Sequence, residues 1–103
     1  MASKGTTTSK KALEFATAPL RVDDGTRAFK PVSVLPGIGP VASEALKEVG
    51  FTTVAHLLGQ FLLFSCDEDL MLAWLEEKLP KAIGAHHRKA TVTALADWAN
   101  NHL

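Results

Sequence analysis

The residues best suited to chemistry form a short glycine-containing stretch near the middle of the chain. Two glycines flank Ile38 in Leu35-Pro36-Gly37-Ile38-Gly39-Pro40, a spacing that permits a tight turn and the close approach of another backbone. Pro40 suits the first position of a following helix, where its missing N–H costs nothing. Amides at that helix N-terminus can donate hydrogen bonds to a phosphate oxygen, and the helix dipole favours an anion there. Contacts of this kind read phosphate rather than base.

The stretch from Val34 to Leu46 matches the helix-hairpin-helix pattern, in which a glycine hairpin joins two helices. Ile38 is expected to point inward and to hold the two helices together. The alternative is a turn that only joins two helices, as in related interaction domains that do not bind DNA. The motif alone leaves both interpretations open.

Three other groups could suggest an enzyme or a metal site, and each has a simpler explanation. His86 and His87 are adjacent, so on a helix they point in different directions, and no further ligand lies at a turn's spacing. A solvated or phosphate-facing role suits them better. The acidic run Asp67–Asp69 fits the start of a helix. Cys66 is the single cysteine and has no matched histidine context. We therefore expect no enzyme activity, no cofactor and no metal.

Composition predicts one folded domain whose charge is balanced. Of the 103 residues 47% are hydrophobic, and eleven basic residues balance eleven acidic ones. Nucleic-acid contact would therefore come from a local patch and from backbone groups rather than from a global positive field. No signal peptide is visible, and the most apolar run, 54–64, is too short to span a bilayer. We expect a soluble intracellular protein with a flexible tail at 1–8 and a single helical domain at 9–103.

Hydrophobic periodicity and capping residues predict an all-α fold, a compact bundle of five or six short helices that contains the helix-hairpin-helix (SAM-like) motif. The first helix should begin after Thr8 or Ser9, run to Ala16, and bury Leu13 and Phe15. Residues 21–30 contain a turn signal and are predicted to form a surface loop. The remaining predicted elements are a helical turn at 31–34 and helices over 40–49, 54–63, 67–78 and 84–100.

Beyond the hairpin, the chain resembles the barrier-to-autointegration factor family over nearly its whole length. The matching blocks occur in order and at nearly constant spacing, which a generic hairpin would not explain. The blocks are Thr7-Thr8-Ser9 with Lys11 and Phe15, Lys30-Pro31-Val32, the hairpin, Leu46…Gly50-Phe51, Leu58-Gly59-Gln60-Phe61-Leu62, Asp67-Glu68-Asp69-Leu70…Trp74-Leu75, and Leu95…Trp98.

The resemblance implies a symmetric homodimer that binds double-stranded DNA without sequence preference and bridges two duplexes. It also implies a groove across the dimer that binds LEM domains of inner-nuclear-membrane proteins, with lamins and histones as further partners. The expected location is the nucleus and cytoplasm, and the expected role is organisation of chromatin and the nuclear envelope.

The resemblance also implies roles for individual residues. Phosphates on the tail beside the lysines would repel DNA by adding about two negative charges each. The implied phosphorylation sites are Thr7, Thr8 and Ser9. The implied DNA-binding residues are Lys10, Lys11, Gly37, Ile38, Gly39, Val41, Ala42, Lys47, Arg88 and Lys89. The implied dimer and partner-groove residues are Leu58, Gly59, Gln60, Leu62, Leu63, Leu70 and Trp74, for which burial in the monomer core is the alternative.

Several departures from the family pattern bear on function. Ala45 stands where the family usually has a lysine, a loss for which Lys47 could partly substitute. Ser65 and Cys66 replace two lysines, and the 21–30 loop is longer. Two alternatives to DNA bridging follow. One is a dimeric protein-interaction adaptor with weakened or lost DNA binding, and the other is a hairpin module from a larger repair protein.

Overall fold

The computed structural model describes residues 10–103, and within them the chain is helical. Two isolated antiparallel bridges are the extended pairings found in these residues, and neither lengthens into a strand. The predicted all-α fold is confirmed, whereas the tail and the phosphorylation sites Thr7, Thr8 and Ser9 lie outside the described residues. The helices are α1 (Lys10–Thr17), α2 (Pro40–Glu48), α3 (Val54–Leu63), α4 (Glu68–Lys78) and α5 (Ala85–His102), with a 3-10 turn over Val32–Val34.

The starts of α3 and α4 are set by local hydrogen bonds that the sequence already indicates. At α3, the Thr53 hydroxyl accepts from the His56 amide at 3.3 Å, and the His56 imidazole Nδ1 accepts from the Thr53 amide at 3.2 Å. This reciprocal pair satisfies two amides that the helix leaves free. At α4, the Asp67 carboxylate accepts from the Leu70 amide at 3.0 Å. Both helices therefore begin where their capping residues predict.

The core lies between α5 and the other helices, and α1 and α4 pack directly on α5. On α1 only Phe15 is buried, whereas Leu13 is 62% exposed, so the prediction that both enter the core is wrong. Positions two apart lie on nearly opposite sides of a helix, which prevents both from facing α5. The end of α1 is fastened by Trp98, whose indole Nε1 donates to the Ala18 carbonyl at 2.9 Å. The largest fully buried side chains are Phe61, Leu35, Leu46, Leu57, Met71, Leu75 and Leu95.

The surface loop at 21–30 is an ordered hairpin. The Val22 amide donates to the Ala28 carbonyl at 2.8 Å, which pairs the two arms. At the tip, the Asp24 carboxylate accepts from the Thr26 hydroxyl at 2.6 Å and from the Thr26 amide at 3.0 Å. These hydrogen bonds hold the pKa of Asp24 below its ordinary value, the hydroxyl bond being the largest cause.

Candidate nucleic-acid interface

Gly37 lies where the hairpin meets α5, and no other residue type fits there. Its φ is +86°, in the left-handed region that favours glycine. A methyl group at this position would lie 2.2 Å from the His87 carbonyl oxygen and 2.6 Å from the Thr91 hydroxyl. The same Thr91 hydroxyl donates to the Pro36 carbonyl at 2.7 Å. Gly37 therefore serves the packing of the hairpin against α5.

Gly39 has a different role, although the sequence pattern treats the two glycines alike. It is the residue before α2, with φ −95°, and is exposed. A methyl group added here would meet no atom within 4 Å among the described residues. Local packing therefore does not require a glycine at position 39. Its lack of a side chain leaves the surface in front of α2 uncovered.

The N-terminus of α2 presents backbone amides that other groups of the protein do not use. The first backbone hydrogen bond of the helix runs from the Ser43 amide to the Gly39 carbonyl at 2.9 Å. Pro40 has no amide hydrogen, and the amides of Gly39, Val41 and Ala42 have no acceptor within residues 10–103. Such orphan amides at a helix start are ready donors to an anion. Ala42 is 1% exposed as a whole residue, so the exposed residues that offer a free amide are Gly39 and Val41.

Ile38 points inward as predicted and is 2% exposed. It belongs to the same hydrophobic core as Leu35 and Leu46, which flank it on the 3-10 turn side and on α2. The buried side chain of Ile38 therefore holds the hairpin in shape. It is not positioned to contact DNA directly, although Ile38 is among the predicted DNA-binding residues.

The hairpin forms one side of a shallow depression of about 370 Å³. Lys11 from α1 and His87 from α5 line it together with Ile83 and the hairpin residues 37–42. None of the described residues that line it is acidic. The ammonium of Lys11 donates to the Ser33 carbonyl at 3.1 Å, which places its charge beside the hairpin. The depression thus combines free amides with basic side chains, an arrangement suited to an anion.

Lys10, Lys47 and Lys89 are exposed but are not part of this depression. Lys47 lies in the last turn of α2, at the opposite end of that helix from the free amides. A duplex is much larger than the depression and extends over the surface around it. A DNA contact by these three lysines therefore stays a prediction.

Arg88 faces a different part of the surface. Its guanidinium donates to the Ile83 carbonyl and lies 3.9 Å from the Glu76 carboxylate. It lines a second depression with Glu76, Glu77 and Lys81, and its buried Nε has no hydrogen-bond partner in the described part of the chain. Its DNA contact also stays a prediction, and the structure gives it a role in joining α4 to α5.

His87 is absent from the predicted site residues, although the depression includes it. The sequence indicated only that the histidine pair was solvated or phosphate-facing. Nothing local to residues 86–87 shows which other elements they meet, because the contact with the hairpin depends on how α5 packs against Gly37.

The predicted dimer and partner groove lies on α3 and α4, where the structure separates its residues into two groups. Leu58 is 6% exposed and belongs to the monomer core, which is the alternative left open for these apolar residues. Leu62, Leu63 and Leu70 are exposed. Gly59, Gln60 and Trp74 are half-buried, and the Trp74 ring packs edge-on against Phe51 with centroids 4.8 Å apart. The exposed leucines on these two helices, Leu62, Leu63 and Leu70, are called the leucine surface below.

Residues 10–103 contain neither a membrane-spanning helix nor a metal-binding cluster. None of the helices there combines the length and apolar character needed to cross a membrane. The same residues hold no cluster of three or more histidine, cysteine or acidic side chains placed to bind a metal ion. Cys66 is a free, exposed thiol.

Comparison with known proteins identifies the family. The model of the barrier to autointegration factor family matches residues 6–102. The chain is 42% identical to the mouse barrier-to-autointegration factor over 94% of this chain and 99% of that protein. The human protein is 41% identical over the same shares. Barrier-to-autointegration factor 1 of Caenorhabditis elegans is 34% identical over 93% of this chain and 98% of its own length. The resemblance is confirmed, and the chain belongs to the barrier-to-autointegration factor family.

Proposed function

We propose that the chain is a non-enzymatic protein that binds double-stranded DNA without sequence preference and bridges two duplexes as a homodimer. The observation that carries the proposal is the depression in front of α2. There the free amides of Gly39, Val41 and Ala42 lie with Lys11, and no acidic residue lies among the described lining. A phosphate oxygen is the ligand that matches these donors.

The proposed contact explains why the sequence of the duplex should not matter. Backbone amides and a lysine ammonium recognise phosphate oxygens, which every nucleotide of the DNA backbone carries whatever its base. The depression is shallow, and its lining among residues 10–103 includes none of the long amide or guanidinium side chains that read base edges in a groove. Affinity should depend on counterion release and therefore fall steeply with salt.

Bridging requires an assembly that carries two DNA-binding hairpins, which a homodimer supplies. The leucine surface is the proposed dimer interface. Leu63 is 79% exposed, and Leu62 and Leu70 are also exposed. Large apolar side chains that share one region of a small protein commonly mark an association site. Family membership supports a dimer in which the two hairpins face away from each other.

The remaining parts of the proposal rest on family membership. They are LEM-domain partners of the inner nuclear membrane, lamins and histones as further partners, and residence in the nucleus and cytoplasm. A groove next to the leucine surface, with Gly59, Gln60 and Trp74, is the proposed LEM-domain site.

A dimeric adaptor with weakened DNA binding is the second candidate, and the surface of α2 favours it. Ala45 is half-buried and carries no charge where the family usually has a lysine. Glu44 and Glu48 are exposed on the same helix, with Lys47 as its single basic residue. The helix that offers its amides to phosphate is therefore itself net negative, which lowers the expected affinity for DNA.

The test is a duplex-bridging assay that compares the wild type with Gly39→Glu. Because a side chain at position 39 meets open space, the variant should fold and should place a carboxylate against the phosphate. Loss of the amide contacts predicts binding weaker by about tenfold or more.

Gly37→Glu is unsuitable, since its side chain would collide with α5 and unfold the site. Thr93→Glu adds the same charge at an exposed position of α5 and should leave bridging intact. Equal bridging by Gly39→Glu and wild type would overturn the proposed contact, whereas a wild type that does not bridge duplexes would favour the adaptor.

A further inference from the structure

We propose that Lys30, at the base of the 21–30 hairpin, forms a second phosphate-binding site together with Lys11. The site is a groove between α1 and the segment 30–34, separate from the depression in front of α2. The two lie side by side, since Lys11 lines both of them. The inference rests on the proposed function and adds to it a residue and a second contact with the DNA backbone. The groove is called the α1 groove below.

The α1 groove combines an apolar floor with basic side chains. Its volume is about 320 Å³. Phe15, Ala18 and Val34 contribute its apolar lining, and Lys11 and Lys30 contribute two positive charges. A lysine ammonium binds phosphate as a point charge at the end of a flexible apolar stem. The groove therefore suits a backbone phosphate better than a base edge, which needs donors in a fixed geometry.

The 21–30 hairpin fixes the backbone of Lys30 beside α1. The Lys30 amide donates to the Leu20 carbonyl at 2.8 Å, and its carbonyl accepts from the Val54 amide at 3.0 Å. Next to this pairing, the Arg21 guanidinium lies 4.3 Å from the centroid of the Phe29 ring. The side chain of Lys30 therefore extends from a backbone that is held on both sides.

The positive charge of the α1 groove is only partly balanced. Neither Lys11 nor Lys30 forms an ion pair within residues 10–103. The hydrogen bond of the Lys11 ammonium goes to the neutral carbonyl of Ser33. Glu14 is the one acidic residue in the described lining, so two positive charges face one negative charge. A phosphate would supply the missing negative charge.

A duplex can occupy the α1 groove and the depression in front of α2 together. Its phosphates recur along each strand at about 3.4 Å of helix axis. The amides of Gly39 and Val41 would fix one phosphate, and the flexible stem of Lys30 lets its ammonium reach a neighbouring one. Because this second contact is also to the backbone, it adds affinity without adding sequence preference.

The experiment measures affinity for a labelled duplex by fluorescence anisotropy over a salt series. Losing one phosphate contact, Lys30→Gln should lower the slope of log affinity against log salt by about 0.9. Its affinity at low salt should fall about two- to fivefold, as for an exposed ion pair. Lys30→Arg keeps the charge and should keep the wild-type slope. Lys81→Gln is the matched control, because it removes the same charge beside α4, outside the α1 groove, and it should also keep the wild-type slope.

Glu14→Gln should change affinity in the opposite direction, which misfolding cannot imitate. Removing the carboxylate from the α1 groove removes its repulsion of phosphate, so affinity should rise about two- to fivefold. Glu77→Gln makes the same change in the second depression and should leave affinity at the wild-type value. Circular dichroism of every variant monitors folding.

Three results would overturn the inference. They are a Lys30→Gln protein that binds as the wild type does, a loss no larger than that of Lys81→Gln, and a loss at unchanged slope, which would give Lys30 a role in folding alone. If Gly39→Glu still weakens binding in these cases, the proposed function stands. A wild type that binds no duplex at low salt would overturn both.

Discussion

Thr91 of α5 donates its hydroxyl hydrogen to the backbone carbonyl of Pro36 across 2.7 Å, and both residues are buried. Fifty-five positions separate them in the chain. This hydrogen bond fastens the glycine hairpin to the last helix and so brings His87 to the depression in front of α2. The shape of the proposed interface therefore depends on a contact remote from the hairpin in sequence.

Thr91→Val should destabilise the protein by about 1–3 kcal/mol, because it keeps the shape of the side chain but leaves the Pro36 carbonyl without its donor. Urea unfolding followed by circular dichroism measures the change. Thr93→Val makes the same substitution at an exposed position of the same helix and should stay within about 0.5 kcal/mol of the wild type. Equal effects of the two substitutions would show that the buried hydrogen bond does not contribute.

Alanine substitutions should distinguish the two hairpin glycines. Gly37→Ala should cost at least about 2 kcal/mol, since it combines a positive φ with a collision against α5. Gly39→Ala should be close to neutral for stability, because its new methyl group meets open space. Thermal unfolding of both variants checks the difference, and a Gly39→Ala protein as unstable as Gly37→Ala would be incompatible with this hairpin geometry.

The starts of α3 and α4 could be predicted from sequence because their causes are local. Thr53 and Asp67 each cap a helix through a residue three positions away. The inward position of Ile38 also followed from the motif. The sequence does not predict the exposed position of Leu13, because a short helix whose large apolar residues are Leu13 and Phe15 does not reveal which of them faces the core.

Only some of the residues that line the site could be predicted from the sequence. The glycines and Lys11 were identified through the motif and the family resemblance, and the structure brings them together. His87 and the orientation of Arg88 toward Glu76 depend on the packing of α5 against the hairpin and α4. Such contacts join positions far apart in the chain, and no local pattern encodes them.

The hairpin at residues 21–30 can be tested through Asp24. Its pKa is lowered mainly by the Thr26 hydroxyl and then by the Thr26 amide. Because the folded pKa lies below the unfolded value, the carboxylate stabilises the fold above the unfolded pKa, and this contribution is lost as pH falls through the folded pKa. Thr26→Ala should raise the Asp24 pKa toward its ordinary value in an NMR titration of the carboxyl carbon. An unchanged midpoint would mean that the turn is not formed in solution.

The leucine surface can be tested through the oligomeric state. Leu63→Glu should shift the protein toward monomer, since it places a charge in the proposed interface. Light scattering across a concentration series measures this shift. Leu13→Glu is the control, because Leu13 is comparably exposed on α1, outside the leucine surface. A Leu63→Glu protein that remains as dimeric as the wild type would place the interface elsewhere.

The most direct test of the central claim is the salt dependence of affinity for two unrelated duplexes of equal length. Phosphate recognition by the α2 amides and Lys11 predicts equal affinity for both duplexes, falling steeply and linearly on logarithmic axes as salt is raised. A clear preference for one duplex, or no binding to either at low salt, would contradict it.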